Sequence, residues 1–469
     1  MYWTQTNTNL GILFSTGVLL FHIIIFPNYI MPLPILLIGV AIILFFYTTL
    51  RGYTVLWRNT NNIKTKLFFH SLLYRILGIL GMYFITLNYD PNSLPFELSA
   101  ADSWNYHYSG VIVADAIRDN KNIFMSLSTF WKSESDYGFS IIIGAIYSIF
   151  GKIPYVIKLF NAIVGSFTVL RIYQITKIIY QGEQAKIAGI LAMIMPPLLW
   201  FGGMFLKETI LIFLLVNATY FAMKITKSLN YRPYYITLIL LHFGLIFYFR
   251  VVLAPILLIA ILLQMSLFKL KKRSDYLFSF LIVAGIMIGS IYVMKALHMD
   301  IYVEEAIAAS SDQFGNELEG ASKSRGVNYA AALVAPLLVA GAILTPFPSV
   351  LDFEASQLAI YAHFQNEVIR NGMYFFVFFG LIRAIKLKQK KTILVGSLAI
   401  IYILVLAASG ISHQDRFQII SLPFLIIFMS DGIVSKYKQQ QRHWTLYLIL
   451  IFAIILMWNV FKLSIRQLI

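Results

Sequence analysis

Long apolar segments follow one another along almost the whole chain and constrain its fold more than any other feature. Of the 469 residues, 59% are hydrophobic and only 12% are charged, whereas soluble domains carry about 25% charged residues. A water-soluble fold of this composition would expose large apolar surfaces. We therefore predict an all-α polytopic membrane protein, because the segments lack the strict alternation of barrel strands.

A helix needs about 20 apolar residues to cross the hydrocarbon core of a bilayer. The segments that approach this length are 10–30, 32–50, 67–88, 137–151, 156–176, 187–204, 207–223, 234–249, 251–268, 277–295, 329–346, 372–386, 392–410, 417–433 and 444–461. Some of them are too short to cross alone, so we expect about 12–14 crossings. No internal repeat or terminal soluble region is evident, so a single membrane domain over 1–469 is expected.

The charged residues predict the orientation of these crossings. The net charge is +16, and the basic residues cluster in short loops at 51–66, 224–232, 269–273, 383–391 and 436–442. Such loops stay in the cytoplasm of a multi-pass protein of the plasma or inner membrane. Acidic residues gather instead in 89–136 and 296–328, which are therefore predicted on the outer face. Nucleic acid is not an expected partner, because no loop is large enough to hold a reader module.

This orientation leaves two segments that do not fit as full crossings. Segment 89–136 is predicted outside and the loop at 224–232 inside, but four apolar segments lie between them. Segment 137–151 is therefore expected to be short or re-entrant, and the same argument applies to 329–346. Irregular segments at membrane depth are tolerated where they line a cavity, so we expect a cavity that opens outward.

The first outer segment contains an acidic motif, Asp102-Ser103-Trp104-Asn105-Tyr106-His107. An acidic residue followed four positions later by Tyr, just after an early hydrophobic span, resembles the first-loop motif of GT-C glycosyltransferases. Those are polytopic enzymes that move a sugar from a lipid-phosphate carrier. Ser103 stands where the second acidic residue of that motif is usual.

Further motifs resemble the GT-C families of protein mannosyltransferases and lipid A aminoarabinose transferases, a family 39 type. They are Gly138, Phe150-Gly151, Asn161-Ala162 with Gly165, Pro196-Pro197, Lys207-Glu208, the outer segment 345–349, and Arg416 with Pro423. The resemblance covers roughly 100–225 well and 340–435 loosely. It departs from the family pattern at Phe417, where Tyr is usual, and at Lys207-Glu208, where several members carry an Asp.

The resemblance implies a GT-C-like bundle with helices in its outer loops. It also implies transfer of a sugar from a polyprenyl-phosphate donor to a glycan, lipid or protein acceptor. The expected partners are this donor, the acceptor and membrane lipid. ATP is not expected as an energy source, because the chain has no Walker loop. No cofactor is certain, although a divalent Mg or Mn ion is a possible one.

Asp102 is the candidate catalytic residue, since transfer to a hydroxyl needs a base and a carboxylate can serve. Tyr106 follows it by four positions, so the two side chains share one face of a predicted helix. His107 is a candidate for binding the sugar or a metal. These three residues compose the first half of the predicted site.

The other candidate substrate-binding residues are rare charges at the outer ends of apolar segments. Lys207 is expected to meet a phosphate and Glu208 to bind the sugar or a metal, because charge at a membrane boundary is costly and often functional. Arg250 and Arg416 offer guanidinium groups suited to a lipid phosphate. His413 is expected to orient Arg416. We predict that both arginines converge on one phosphate.

Two other functions stay open at this point. A polymerase or ligase of the O-antigen or exopolysaccharide type would use a polyprenyl-diphosphate glycan, with Arg250, His413 and Arg416 as its centre and Asp102 incidental. A flippase or secondary transporter is less favoured, because such proteins usually show duplicated halves with broken helices in matching positions.

The predicted orientation can be tested by labelling, and the chain contains no cysteine of its own. A cysteine that replaces Asn105 should react with an impermeant thiol reagent added to intact cells. A cysteine that replaces Lys388, in a basic loop, is the control and should react only after lysis. Labelling of the Asn105 position only after lysis would contradict the orientation.

Overall fold

The computed structural model describes residues 3–26, 33–58, 60–97, 101–131, 134–180, 182–225, 232–269, 347–348, 358–408, 415–435 and 439–465. Within these ranges the chain forms 17 α-helices and no strand, and 86% of it is helical. The prediction of an all-α polytopic membrane protein is confirmed. The predicted outer segment 296–328, the irregular segment 329–346 and His413 lie outside the described residues.

The first ten helices are α1 (Gln5–Ile25), α2 (Leu33–Leu56), α3 (Ile63–Tyr89), α4 (Ala101–Arg118), α5 (Ile123–Ser128), α6 (Tyr137–Phe150), α7 (Pro154–Ile179), α8 (Gly182–Ile194), α9 (Pro196–Phe201) and α10 (Glu208–Ile225). The others are α11 (Arg232–Phe247), α12 (Leu253–Lys269), α13 (Leu358–Lys386), α14 (Ile393–Ala408), α15 (Asp415–Gln418), α16 (Leu422–Val434) and α17 (Gln440–Ile465). In the described part, seven helices are long and apolar enough to cross a membrane, namely α1, α2, α3, α7, α10, α13 and α17. Helices α11, α12 and α16 are shorter and apolar.

Polar contacts identify one end of the bundle as the basic end. The Lys186 ammonium, near the start of α8, donates to the Arg58 carbonyl in the α2–α3 loop at 2.6 Å. The Arg383 guanidinium of α13 pairs at 2.6 Å with the buried Asp431 of α16, which also accepts from Gln184 of α8. The predicted basic loops at 51–66 and 383–391 therefore lie at the same end of the bundle. We call this end the basic end.

Helix α6 lies beside α4 and is short. Its 14 residues extend about 21 Å, less than the roughly 30 Å of hydrocarbon in a bilayer. Gly144 of α6 faces the Val113 side chain of α4 so closely that an added Cβ would collide with it. Lys152, just after α6, pairs with Asp115 near the end of α4 at 3.0 Å. This geometry agrees with the expectation that segment 137–151 is too short to cross fully.

Two glycines allow α13 and α16 to pack backbone against backbone. A Cβ at Gly432 would collide with the Phe376 carbonyl oxygen, and one at Gly380 would collide with the Phe428 carbonyl oxygen. Small residues at helix crossings are the common way for helices in membranes to approach closely. The buried α16 is held against α13 in this way.

Gly432→Ala should therefore destabilise the protein by about 1–3 kcal/mol, the usual cost of overpacking a core. Gly244→Ala is the matched control, because nothing lies within 4 Å of a Cβ at Gly244 of α11. Thermal unfolding in detergent compares the two variants with the wild type. Equal midpoints for Gly432→Ala and the wild type would show that α13 and α16 are not so closely packed.

Candidate active site

The Arg416 guanidinium joins three distant parts of the chain at the end of the bundle opposite the basic end. Its Nε donates to the Glu208 carboxylate, the first residue of α10, at 2.5 Å. Its Nη1 donates to the Asp102 carboxylate in the first turn of α4, 314 residues away in sequence. Asp102, Glu208 and Arg416, which were predicted separately, therefore form one cluster. We call this end of the molecule the site end.

The two carboxylates of this cluster differ in their exposure. The Glu208 side chain is fully buried, whereas that of Asp102 is 50% exposed. Glu208 Oε2 has no hydrogen-bond partner among the described residues, and its place at the α10 N-terminus favours a negative charge. Burial acts against the charge of Arg416, but Glu208 and Asp102 outweigh it and raise the pKa of the guanidinium. Arg416 is thus a permanent cation.

A second cluster surrounds Asp136, which immediately precedes α6. The Asp136 carboxylate pairs with the Lys207 ammonium and accepts a hydrogen bond from the Tyr106 hydroxyl at 2.7 Å. Lys207 also donates to the Ser135 carbonyl at 3.3 Å. Lys207 belongs to this cluster and Glu208 to the first one. Because these two residues are adjacent in sequence, the two clusters lie next to each other.

The pKa values of this second cluster are shifted mainly by burial. Burial lowers the pKa of Lys207, and the nearby Arg250 adds to that effect while Asp136 opposes it. Burial, together with Asp136 and Glu208, raises the pKa of Tyr106 well above its ordinary value. Tyr106 is therefore a neutral hydrogen-bond donor, and Asp136 favours the charged form of Lys207 against the effect of burial.

Arg250 lies at the turn between α11 and α12 and contacts Phe417, the residue after Arg416. Its guanidinium carbon stands 4.5 Å from the centre of the Phe417 ring, in a cation–π arrangement. The turn is tied to the start of α6, where the Gly138 amide donates to the Tyr248 carbonyl at 3.0 Å. A Cβ at Gly138 would lie within 3 Å of that carbonyl, so the motif glycine permits this close approach.

One predicted site residue, His107, makes its described contacts outside these clusters. The His107 ring nitrogen Nδ1 is 2.9 Å from the Tyr147 hydroxyl of α6, and its ring packs against Phe96 and Trp104. Burial lowers the pKa of His107, with a further contribution from Lys152. No described contact joins His107 to Asp102, and His413 is outside the described residues.

The sequence reasoning did not select Asp136 as a site residue. It lies at the end of the acidic segment 89–136, among several other acids. Its signal was that it is an acid directly before an apolar helix, the same signal that selected Lys207 and Glu208. The buried Glu97, whose contacts are described below, was missed for the same reason: it lay among many acids of an outer loop.

The two carboxylates that could ligate a metal ion, Asp102 and Glu208, are both paired with an arginine. No three His, Asp or Glu side chains are grouped as a metal site in the described part of the chain. Asp102 and Glu208 converge on one point, but the Arg416 guanidinium already supplies the positive charge there. The predicted Mg or Mn ion stays a prediction, and no step below is routed through it.

Arg416→Gln should lower the free energy of unfolding by about 3–5 kcal/mol, because it leaves the buried Glu208 charge without its partner. Adding Glu208→Gln to this variant should restore part of the loss, since no charge is then buried alone. Arg118→Gln is the control, as its pair with Asp115 is exposed and worth at most about 1 kcal/mol. Unfolding in detergent gives the free energy of unfolding of the wild type, the two single variants and the double variant. Equal stability of Arg416→Gln and Arg118→Gln would contradict the buried pair.

Part of this site lies in a segment of the chain that is similar to a known family. No curated protein matches the chain, and no solved structure matches it. Residues 137–292 match the family model named dolichyl-phosphate-mannose-protein mannosyltransferase. This range contains Lys207, Glu208 and Arg250, whereas Asp102 and Arg416 lie outside it. The predicted resemblance is confirmed over these residues, and the match supports a membrane glycosyltransferase of the GT-C type.

Proposed function

We propose that the chain, acting as one membrane domain, transfers a sugar from a polyprenyl-phosphate donor to a glycan, lipid or protein acceptor. The observation that carries the proposal is the Arg416 guanidinium held between Asp102 and Glu208. A base, a buried acid and a permanent cation thereby meet at one end of a membrane bundle. By the charge rule that end is the outer face of the membrane.

The cations of the site suit a lipid phosphate as the leaving group. Arg416, Lys207 and Arg250 all lie at the ends of apolar helices, where a polyprenyl chain stays in the lipid while its head group reaches the site. Charge-assisted hydrogen bonds to phosphate are strong in such partly dry settings. Outside the cell nucleotide sugars are lacking, so a lipid-borne donor also meets the need for an activated sugar.

Asp102 is the proposed general base because it is the most accessible acid of the site. Its side chain is 50% exposed, against 22% for Asp136 and none for Glu208. The acceptor hydroxyl gives its proton to the Asp102 carboxylate as the acceptor oxygen bonds to the anomeric carbon. The bond from that carbon to the phosphate oxygen breaks, and the lipid phosphate leaves with the electron pair. Arg416 and Lys207 stabilise the charge that develops on the phosphate.

The pairing of Asp102 with Arg416 explains why the donor phosphate would bind before Asp102 accepts a proton. While Arg416 donates to Asp102, one lone pair of the base is occupied. A donor phosphate at the site competes for the same guanidinium and weakens that bond, so the carboxylate becomes free to accept a proton. Glu208, which is buried, keeps its bond to Arg416 and holds the guanidinium in place.

The polymerase or ligase alternative receives less support from this geometry. It would make Asp102 incidental, but Asp102 contacts the arginine that both functions need. His413, which would be central to that alternative, lies outside the described residues.

Asp102→Asn should lower the rate of transfer by about 10²–10⁴-fold, the contribution typical of a general base. Asp119→Asn is the control, because Asp119 lies just beyond the other end of α4 and pairs with Lys121 at the surface. The assay follows release of polyprenyl phosphate from a panel of polyprenyl-phosphate hexoses and pentoses. Both variants should unfold at the wild-type temperature, and full activity of Asp102→Asn would exclude Asp102 as the base.

A further inference from the structure

The segment between α9 and α10 is a break in the helical structure directly before Lys207 and Glu208. Helix α9 ends at Phe201 and α10 begins at Glu208. Met204, Phe205 and Leu206 between them are all buried. Buried backbone groups without partners are costly, most of all in a membrane, so side chains must replace the missing helical hydrogen bonds here.

Two side chains from outside the segment do this for three consecutive residues, and a third side chain pairs with one of the two. The Asn161 amide of α7 donates to the Met204 carbonyl at 2.9 Å and to the Leu206 carbonyl at 3.0 Å. The Glu97 carboxylate accepts the hydrogen bond of the Phe205 amide. Lys158, one turn before Asn161 on α7, lies 3.8 Å from the other oxygen of Glu97. We call Glu97, Lys158 and Asn161 the clamp.

Burying the clamp costs more free energy than a purely structural role would explain. Glu97 is 2% exposed, Lys158 4% and Asn161 0%. Taking an ion pair out of water costs several kcal/mol per charge, and an apolar replacement is often equally stable. A buried polar network of this kind instead fixes one geometry of the groups that it binds. The groups bound here are the backbone of the three residues that precede Lys207.

We infer that the clamp consists of positioning residues for the transfer reaction, acting through Lys207 and Glu208. It fixes the direction in which the chain leaves Leu206, so that Lys207 points toward Asp136 and Glu208 toward Arg416. This inference rests on the proposed function. Its consequence is that the clamp affects the rate of transfer through the geometry of the site, beyond any effect on stability.

Asn161→Ala should lower kcat by about 10²-fold, because displacements of about 1 Å cost that much in a catalytic arrangement. Asn217→Ala is the matched control. Asn217 is also a buried amide, but it pairs with His242 at 2.8 Å, away from the clamp. Both variants should lose comparable thermal stability, and Asn217→Ala should keep its kcat. A similar loss of kcat in both variants would reduce the clamp to a structural role.

A double-variant cycle tests whether Asn161 affects kcat through Glu208. Glu208→Gln alone should lower kcat, and adding Asn161→Ala to it should lower kcat by much less than the 10²-fold of the single variant, since residues that act together are not additive. If Asn161→Ala has its full effect in the Glu208→Gln background, the inference is wrong. If Glu208→Gln alone has wild-type activity, the proposed site is wrong instead.

A milder variant keeps the test decisive where Asn161→Ala does not fold. Asn161→Ser retains one donor in place of the two amide bonds. Its kcat should lie between those of the wild type and a variant without any donor, and Glu208→Gln should again mask most of its effect. Wild-type kcat in Asn161→Ser would overturn the inference.

Discussion

The ion pairs of one guanidinium determine how the site end of this protein is assembled. Arg416 bonds to Glu208 and Asp102, and these residues come from α15, α10 and α4. A charge near the membrane interior is costly unless it is paired, so the buried Glu208 carboxylate is stabilised by Arg416. The same bonds occupy the proposed base and fix the proposed phosphate ligand. The assembly of the site end and the proposed order of the reaction thus both depend on Arg416.

Short and broken helices provide the space in which these charges meet. Helix α6 is 14 residues long and α9 only six, so neither fills the thickness of a bilayer. The start of α6 presents Asp136 to Lys207, and the break after α9 presents Lys207 and Glu208. Long helices such as α7 and α13 supply the frame, and the clamp, whose Lys158 and Asn161 are on α7, connects that frame to the break. The proposed chemistry is thereby confined to the ends of irregular elements.

Much of the fold and part of the site could be predicted from the sequence. Apolar length and charge sign predicted the helices, the basic end and the short segment 137–151. A lone charge in an apolar context is conspicuous, and so Glu208 and Arg416 were found one at a time. Their pairing was not predictable, because 208 residues separate them and no local pattern encodes the contact. Helical spacing placed Tyr106 near Asp102, but could not show that Tyr106 bonds to Asp136 or that His107 turns toward Tyr147.

A structure with polyprenyl phosphate bound tests the central claim most directly. The account predicts that the phosphate lies against Arg416 and Lys207, with the lipid chain leaving between the helices at the site end. It also predicts that the Asp102 carboxylate faces the open side where an acceptor hydroxyl would enter. A phosphate bound at the basic end, or on the lipid-facing surface away from Arg416, would contradict the account.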